Sequence, residues 1–417
     1  MKESLKIFRD GRFIKLWAGH GISTFGDMIT FLAIPMIVYG ITGSKSALSL
    51  SVLIRVIPVI LIGPFAGALV DRLNRKTIMI WSDLIRAMLT VALLLSPDQY
   101  LLTMIYIVVF LKSLIGIFFN PAFNSTIPSI IKKENLMSAN SVIGVTQNIL
   151  QFVTPFAGAA LIGFSGARSV LLIDIISFIV SAVAIYFIDI PRHPEKSRKL
   201  ITPGVLLKDI GEGFKFMLNS KTLTVIMITT LITQFGQGFI APLWLPYVIE
   251  GLKRPAADLG YLVSMQGFGS ILGTSLLLLL GVRKSKSYKL FYSIFTLMTG
   301  VTIFMQITTL NFSVFIMWGT LVGVFISGMG ITTQTIIQHI AKNEILGRVS
   351  STMNIINQAF MAIAVAIAGL MGDKVTTRIL FIIACSIWLI GCIIGSGLML
   401  LNKETVTDDD ITEQQSA

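Results

Sequence analysis

Gly67-Ala68-Leu69-Val70-Asp71-Arg72-Leu73-Asn74-Arg75-Lys76 closes one long apolar run and opens the next. Gly67 permits close helix approach, Asp71 ends the run, and Arg72, Arg75 and Lys76 anchor a tight turn at a membrane surface. An Asp in such a turn can meet the positive end of a neighbouring helix, in a bond that must break when a gate opens. Gating is therefore the role expected of this loop.

Working outward, apolar runs recur along the whole chain, near 14–39, 47–69, 77–96, 100–127, 139–164, 169–190, 222–249, 258–281, 288–308, 311–339, 347–371 and 378–401. Each is long enough for a helix to cross the hydrocarbon core, which takes roughly 20 residues. The chain is 54% hydrophobic and 13% charged, with a mean hydropathy of +0.82, whereas about a quarter of a soluble domain is charged. The runs lack the alternation of a membrane β-barrel. An all-α integral membrane protein with twelve transmembrane helices follows. Met1 to Lys15 is basic and amphipathic and leads into a full span without a small-residue cleavage site, so the first helix is expected to stay in the mature protein.

The formal charge of +12 would suit nucleic acid, but in a membrane protein it reports loop bias. Most of the 33 Lys and Arg residues fall at the two termini and in the even-numbered gaps. The positive-inside rule then puts both termini in the cytoplasm. Nucleic-acid binding has no separate support. Cys385 and Cys392 lie seven apart on one face of the last span, a spacing that suits neither a mutual disulfide nor a metal site; packing or lipid contact is expected of them.

Sliding the sequence against itself by 210 residues sets Phe25-Gly26-Asp27 on Phe235-Gly236-Gln237, Gly63 on Gly273, Lys76 on Lys286, Glu134 on Glu344, Leu136 on Leu346 and Ser141 on Ser351. One offset thus places span n on span n + 6, a six-helix unit used twice. Because six is even, the halves are parallel, with a central cavity between them. Residues 1–190 form the first bundle and 221–402 the second. Between them, 191–220 is a cytoplasmic linker whose segment Val205 to Leu218 is amphipathic and expected to lie on the membrane surface. The tail, 403–417, with Asp408-Asp409-Asp410, is expected to be disordered.

Charge at mid-membrane is expensive and marks a cavity or a partner. The first half embeds Asp27, Arg55, Lys112 and Asp174, with Asp83 and Arg86 in the third span; the second half embeds almost none. Asp27, halfway along span one, is the first choice for a proton site, with Lys112 as its partner; a permanent structural hydrogen-bond network is the competing reading. His20 could relay protons or bond to backbone at a helix end. Arg55 could snorkel or reach the cavity. Asp174, near the outer end of span six, is expected to be structural. Asn120, Asn124, Gln147, Asn148, Gln151, Gln234, Gln237, Trp244, Gln266, Asn354 and Gln358, with Arg55, are the candidate substrate contacts, about half of which are expected to be helix–helix hydrogen bonds instead. The Met and Phe residues could add an adaptable apolar surface.

Over essentially its whole length the sequence resembles the major facilitator superfamily. The loop from Gly67 to Lys76 matches that family's Gly-x-Leu-x-Asp-Arg-x-Gly-Arg-Lys signature except at Asn74, and Asn tolerates a left-handed conformation that a Gly could supply there. Lys112-x-x-x-Gly116 resembles the Arg-x-x-x-Gly motif of span four. Thr154-Pro155-Phe156-Ala157-Gly158-Ala159 resembles a degraded Gly-Pro-x-x-Gly-Gly antiporter motif. Gly116, Pro155 and Gly158 are accordingly expected to be helix-packing positions. Gly26-Asp27, Thr42-Gly43-Ser44, Asp83-Leu84-Ile85-Arg86, Phe119-Asn120-Pro121-Ala122, Asp174-x-x-Ser177-Phe178, Glu212-Gly213-Phe214 and Gly347-Arg348 resemble the branch containing macrolide-efflux and enterobactin-exporter proteins.

The resemblance implies a secondary transporter in the cell membrane that exports small organic molecules, lipophilic drugs such as macrolides, by alternating access coupled to proton entry. A siderophore exporter and an uncoupled lipid flippase or facilitator are the alternatives. The expected partners are the small-molecule substrate, protons and the lipid bilayer, with no cofactor and a monomeric state. The sequence holds no metal-ligand cluster, nucleophile triad or Walker-type phosphate loop, so neither an enzyme nor an ATP-driven pump is expected.

Overall fold

A computed structural model of the chain describes residues 7, 8, 10–70, 73–190, 203–279, 288–341 and 343–402. Asp71, Arg72, Lys286, the 191–202 part of the linker and the tail 403–417 lie outside the described residues, as do the side chains of Glu344 and Leu206.

The fold is all-helical. The helices are α1 (Gly11–Thr42), α2 (Lys45–Val70), α3 (Arg75–Leu94), α4 (Leu101–Ile130), α5 (Leu136–Ser165), α6 (Val170–Tyr186), α7 (Pro203–Asn219), α8 (Lys221–Ile240), the single turn α9 (Trp244–Pro246), α10 (Asp258–Leu279), α11 (Tyr288–Thr308), α12 (Phe312–Ile340), α13 (Asn343–Gly372) and α14 (Thr377–Leu401). Ten of them are long and apolar enough to cross a membrane. The 17-residue α6 and the 22-residue α10 take the sixth and eighth places in the series.

Local chemistry sets the helix ends. Asp10 caps α1 by accepting from the Arg12 amide at 2.9 Å, and Gly43 ends it at φ 59, returning its N–H to the Tyr39 carbonyl. Asn74, the one departure from the signature loop, sits at φ −69 and ψ 109 and accepts from the Lys76 and Thr77 amides. It is therefore the N-cap of α3, and the left-handed backbone expected there is not present. Prolines stand inside α1, α2, α4 and α5, as membrane helices tolerate. The Thr126, Thr229, Thr299 and Thr332 hydroxyls donate to carbonyls four residues back, which satisfies polar groups that lipid cannot.

The seventh span departs from the expected 222–249. Helix α8 stops at Ile240, and Pro242 and Pro246 flank the turn that carries Trp244 before a π-helical stretch at Tyr247–Gly251. A proline lacks the amide that would continue the ladder, so Trp244 stands at a break and not inside a span.

The chain forms two compact units. Unit 1 holds Met1–Thr202 with Trp244–Ser264 and Gly369–Lys374; unit 2 holds Pro203–Leu243, Met265–Ala368 and Val375–Ala417. In unit 1, α1 packs chiefly on α6 and α5, and α4 on α2 and α3. Small residues make the first contact possible. A Cβ on Gly19 would stand 3.2 Å from Ala184, and one on Gly26 would overlap Ser177 and stand 3.0 Å from the Asp174 Cα. Gly158 brings α5 onto Leu32 and Ile29 of α1, and Gly260 is seated on Pro155 and Ala159. In unit 2, Gly236, the repeat mate of Gly26, sets α8 against Ala384 and Trp388 of α14, and Gly269 and Gly273 on α10 cross α12 at Thr320 and Val324. Cys385 and Cys392 are buried free thiols in unit 2, so they pack inside it and do not face lipid.

Two expected packing glycines have no such role. Among the described residues, nothing lies within 4 Å of where a Cβ would stand on Gly67 or on Gly116.

Candidate functional site

The charged residues of unit 1 converge. Gly26 lets α1 lie against α6, and the next residue, Asp27, therefore reaches the groups that α3, α4 and α6 present. Lys112 Nζ on α4 stands 3.2 Å from Asp27 Oδ1 and 2.6 Å from Asp174 Oδ2. Arg86 on α3 donates through one terminal nitrogen to Asp27 Oδ2 at 3.1 Å and through the other to Asp83 Oδ1 at 2.5 Å. Thr90, one turn on, donates to Asp174 Oδ2 at 3.0 Å. Three carboxylates and two cations thus form one chain, Asp83–Arg86–Asp27–Lys112–Asp174.

Aromatic rings enclose it. The Arg86 guanidinium lies between Phe119, 4.7 Å away, and Phe178, 4.4 Å away, and Lys112 Nζ stands 4.8 Å from the same Phe178 ring. Each contact is attractive because the ring faces carry negative charge. Asp27 keeps 40% of its side chain exposed, whereas Asp83 and Asp174 are 0% exposed. One oxygen of each buried carboxyl, Asp83 Oδ2 and Asp174 Oδ1, has no hydrogen-bond partner.

The expected pair of Asp27 and Lys112 is present, but it is part of a larger set. Asp174, expected to be merely structural, is a direct partner of Lys112. Asp83 and Arg86, grouped at first with the signature loop, belong with Asp27 and not with the turn. Arg55 lies 4.2 Å over the Phe31 ring, one turn beyond Asp27 on α1, and its carbonyl accepts from Ser113; it turns toward α1. His20 is not at a helix end. Its ring lies 4.0 Å from Phe123 and 5.6 Å from Phe119, and Nδ1 has no partner.

Of the signature loop, Arg75 donates to the Ser125 carbonyl at 2.8 Å, and Lys76 donates to the Tyr186 and Ile188 carbonyls, both at 2.7 Å. Lys76 thus caps the end of α6, where carbonyls lack intrahelical donors, while Arg75 ties the start of α3 to α4 one turn before its end.

The candidate substrate residues sort by unit. In unit 1, Asn120 and Asn124 continue the stripe that begins at Lys112 and Gly116 on α4, and with Gln147, Asn148 and Gln151 on α5 they are exposed. Trp244 is half-buried at the break after α8. Beside Gln147, Trp17 donates to Thr146 at 2.9 Å and, with Gly21, Phe25 and Leu150, lines an apolar pocket of about 360 Å³ between α1 and α5. In unit 2, Gln234, Gln237, Gln266 and Gln358 are half-buried and Asn354 is exposed. The pocket at Trp17 was not anticipated; Trp17, Gly21 and Phe25 share a helix face, a pattern that the charge-led reading passed over.

The profile of the Major Facilitator Superfamily matches residues 16–364 and 226–415. Macrolide efflux protein A of Streptococcus pyogenes is 25% identical over 89% of this chain and 92% of its own length. The putative bacilysin exporter BacE of Bacillus subtilis is 23% identical over 87% of this chain and 88% of its own. Among solved structures, a bacterial homologue of the iron transporter ferroportin in its inward-facing state superposes with a TM-score of 0.75 at 15% identity, covering 93% of this chain and 98% of that one.

Proposed function

Since this chain belongs to the Major Facilitator Superfamily, we propose that it exports lipophilic organic molecules of the macrolide kind by alternating access, in exchange for protons. It is a multi-pass membrane transporter and not an enzyme. The relatives that export a macrolide and bacilysin support the direction of transport. The proposed setting is the cell membrane, with both termini cytoplasmic, two six-helix halves at 1–190 and 221–402, and a monomer as the working unit.

The observation that carries proton exchange is the chain Asp83–Arg86–Asp27–Lys112–Asp174. Its half-exposed member, Asp27, is held between two cations, so its carboxyl can exchange a proton with water while the rest of the set stays shielded. The same geometry favours a lipophilic substrate over an anionic siderophore. A polyanion would need several free cations, and with Lys112 and Arg86 held by carboxylates only Arg55, over the Phe31 ring, is left to this set. The apolar pocket at Trp17 and the exposed amides of α4 and α5 supply what a lipophilic molecule needs, apolar area with a few hydrogen bonds. Asp71, Arg72, Arg75 and Lys76 serve as the gate at the turn between α2 and α3.

Purified protein in proteoliposomes, given an imposed pH gradient and a panel of macrolides, dyes, siderophores and labelled lipids, tests the proposal. Gradient-driven movement of macrolides or dyes is expected, and Asp27→Asn should abolish the driving effect of the gradient. Siderophore movement alone, lipid movement without a gradient, or full coupling in the Asp27 variant would overturn it.

A further inference from the structure

We propose that the Arg55 guanidinium is a built-in, displaceable occupant of a seat for an organic cation, formed by the Phe31 ring and the Asp27 carboxylate. The inference rests on the export reading above and deepens it, by naming the charge of the substrate group that is read here. That charge is a single positive one, as on a protonated amine carried by an apolar body.

The seat is built on one face of α1. Asp27 and Phe31 stand one helical turn apart. Both open outward, Asp27 with 40% of its side chain exposed and Phe31 54% exposed. Arg55 reaches them from α2 and is exposed as well. A carboxylate and a guanidinium at mid-span face lipid only at a large cost, so the face they share is a cavity wall.

Arg55 differs from the other cations in how it is held. Arg86 and Lys112 are each fixed by two carboxylates. Among the described residues no carboxylate forms an ion pair with Arg55; its guanidinium lies 4.2 Å over the Phe31 ring, and its charge acts on Asp27 through space. At an exposed site such a ring contact is worth only about 2- to 5-fold in affinity. The backbone beneath is fixed, since Ser113 of α4 donates to the Arg55 carbonyl at 2.6 Å. The side chain can therefore leave the ring without movement of α2.

The charge balance says what can replace it. With its carboxyls ionised, the chain Asp83–Arg86–Asp27–Lys112–Asp174 is one positive charge short, and Arg55 supplies that charge from outside the ion pairs. If Arg55 turned away to grip an anion, the shortfall would be left uncompensated in a poorly solvated place. A substrate cation that enters as Arg55 swings off restores the balance. It inherits the negative face of the Phe31 ring and the exposed side of Asp27. No covalent bond forms or breaks in the exchange.

Equilibrium dialysis of the purified full-length protein in detergent, corrected for protein-free micelles, tests the seat with two probes of one shape and opposite charge, tetraphenylphosphonium and tetraphenylborate. Saturable binding of the phosphonium is expected. It should tighten by at least about 2-fold in Arg55→Gln, where the occupant has lost its charge, and stay near wild type in Arg55→Lys, which keeps a cation there. It should weaken by about 2- to 5-fold in Phe31→Leu, which keeps the apolar bulk without the ring face. The borate should gain nothing from Arg55→Gln. Phosphonium binding that is absent, or is unchanged or weaker in Arg55→Gln, overturns the seat, as does an equal gain for both ions or full affinity in Phe31→Leu. Tight borate binding that Arg55→Gln abolishes also overturns it, because that is the mark of an anion receptor. If macrolides fail to move in proteoliposomes while both probes behave as stated, the export reading falls and the seat stands. If macrolides move under the pH gradient and the probes do not behave as stated, the seat falls and the export reading stands.

Discussion

Gly26 of α1 faces Ser177 of α6 with no room for a side chain between them: a Cβ on Gly26 would overlap the serine and stand 3.0 Å from the Asp174 backbone. Asp27 and Asp174 share Lys112 because of that approach. Gly26→Ala should therefore push α1 from α6 and lengthen the Lys112 contacts, with overpacking costing about 1–3 kcal/mol. Thermal unfolding of the purified protein checks the size. Gly67→Ala and Gly116→Ala, where nothing lies within 4 Å, should leave the melting temperature within error of wild type. Equal losses at all three would sink the packing argument.

Lys112 offers the sharper energetic test. Among the described residues its Nζ is the one cation paired with Asp174, which is fully buried. Lys112→Met leaves that carboxylate with the Thr90 hydroxyl and should cost about 3–5 kcal/mol, the range found when one member of a buried pair is removed. Asp174→Asn in the same background should return most of it, since the uncompensated charge has gone. Denaturation of the two single variants and the double variant gives the coupling. Additive losses would mean that the pair is not energetically linked.

How much of this was open to a reader of the sequence depends on the distance an inference has to travel along one helix or between helices. The mid-span charges, the 210-residue offset and the apolar runs lie on single segments, so the helix series and the Asp27–Lys112 pair were legible. Asp174 was not. It is the fifth residue of α6, near one end, and only the glycine-mediated contact of α1 with α6 brings it under Lys112. Asp83, Arg86 and Thr90 share one face of α3 at three- and four-residue spacing, a signal that their nearness to the signature loop in the chain obscured. Pro242 and Pro246 around Trp244 marked the break in the seventh span, yet hydropathy alone runs straight through them. Asn74 was misread as a glycine substitute because a side-chain cap and a left-handed turn are both common uses of Asn at a helix start or turn.

In unit 2, α7 is clamped to the start of α13. Arg348 Nε stands 3.0 Å from Asp209 Oδ1, a terminal nitrogen of the same guanidinium donates to Glu212, and Gly213 lies against the Arg348 backbone carbonyl. All three charged side chains are partly exposed, so each ion pair is worth only about 0.2–1 kcal/mol. Gly213→Ala should do more harm than Arg348→Ala, since a methyl group would meet the Thr352 hydroxyl and also the Arg348 backbone carbonyl at 2.9 Å, which cannot swing away. Hydrogen exchange across Pro203–Asn219 is expected to rise modestly and in a salt-dependent way in the arginine variant, and strongly without salt dependence in the glycine variant. The opposite order would show that charge, not close packing, holds the helix.

At the far end of unit 1, Asp373 reaches back to the start of α2. Its carboxylate accepts from the Ser44 hydroxyl at 2.6 Å and from the Lys45 amide at 2.8 Å, capping a helix N-terminus from outside the helix. Lys45 in turn stands 3.4 Å from Glu250, which also accepts from Tyr39. Partial burial works against the charged form of Asp373, but the Ser44 and Ser46 hydroxyls and the Lys45 and Ser46 amides outweigh it and hold the carboxyl below its ordinary range. A carboxyl with a lowered value contributes its stabilisation in full above the ordinary carboxyl range and loses it as the pH falls through the lowered value. Protection of the Lys45 and Ala47 amides, measured by hydrogen exchange and corrected for intrinsic rates, should thus fall on acidification through that range. Asp373→Ala should show low protection at every pH with no such transition. A transition that persists unchanged in the variant would assign it to Glu250 instead, and with it the acid sensitivity of this end of the unit.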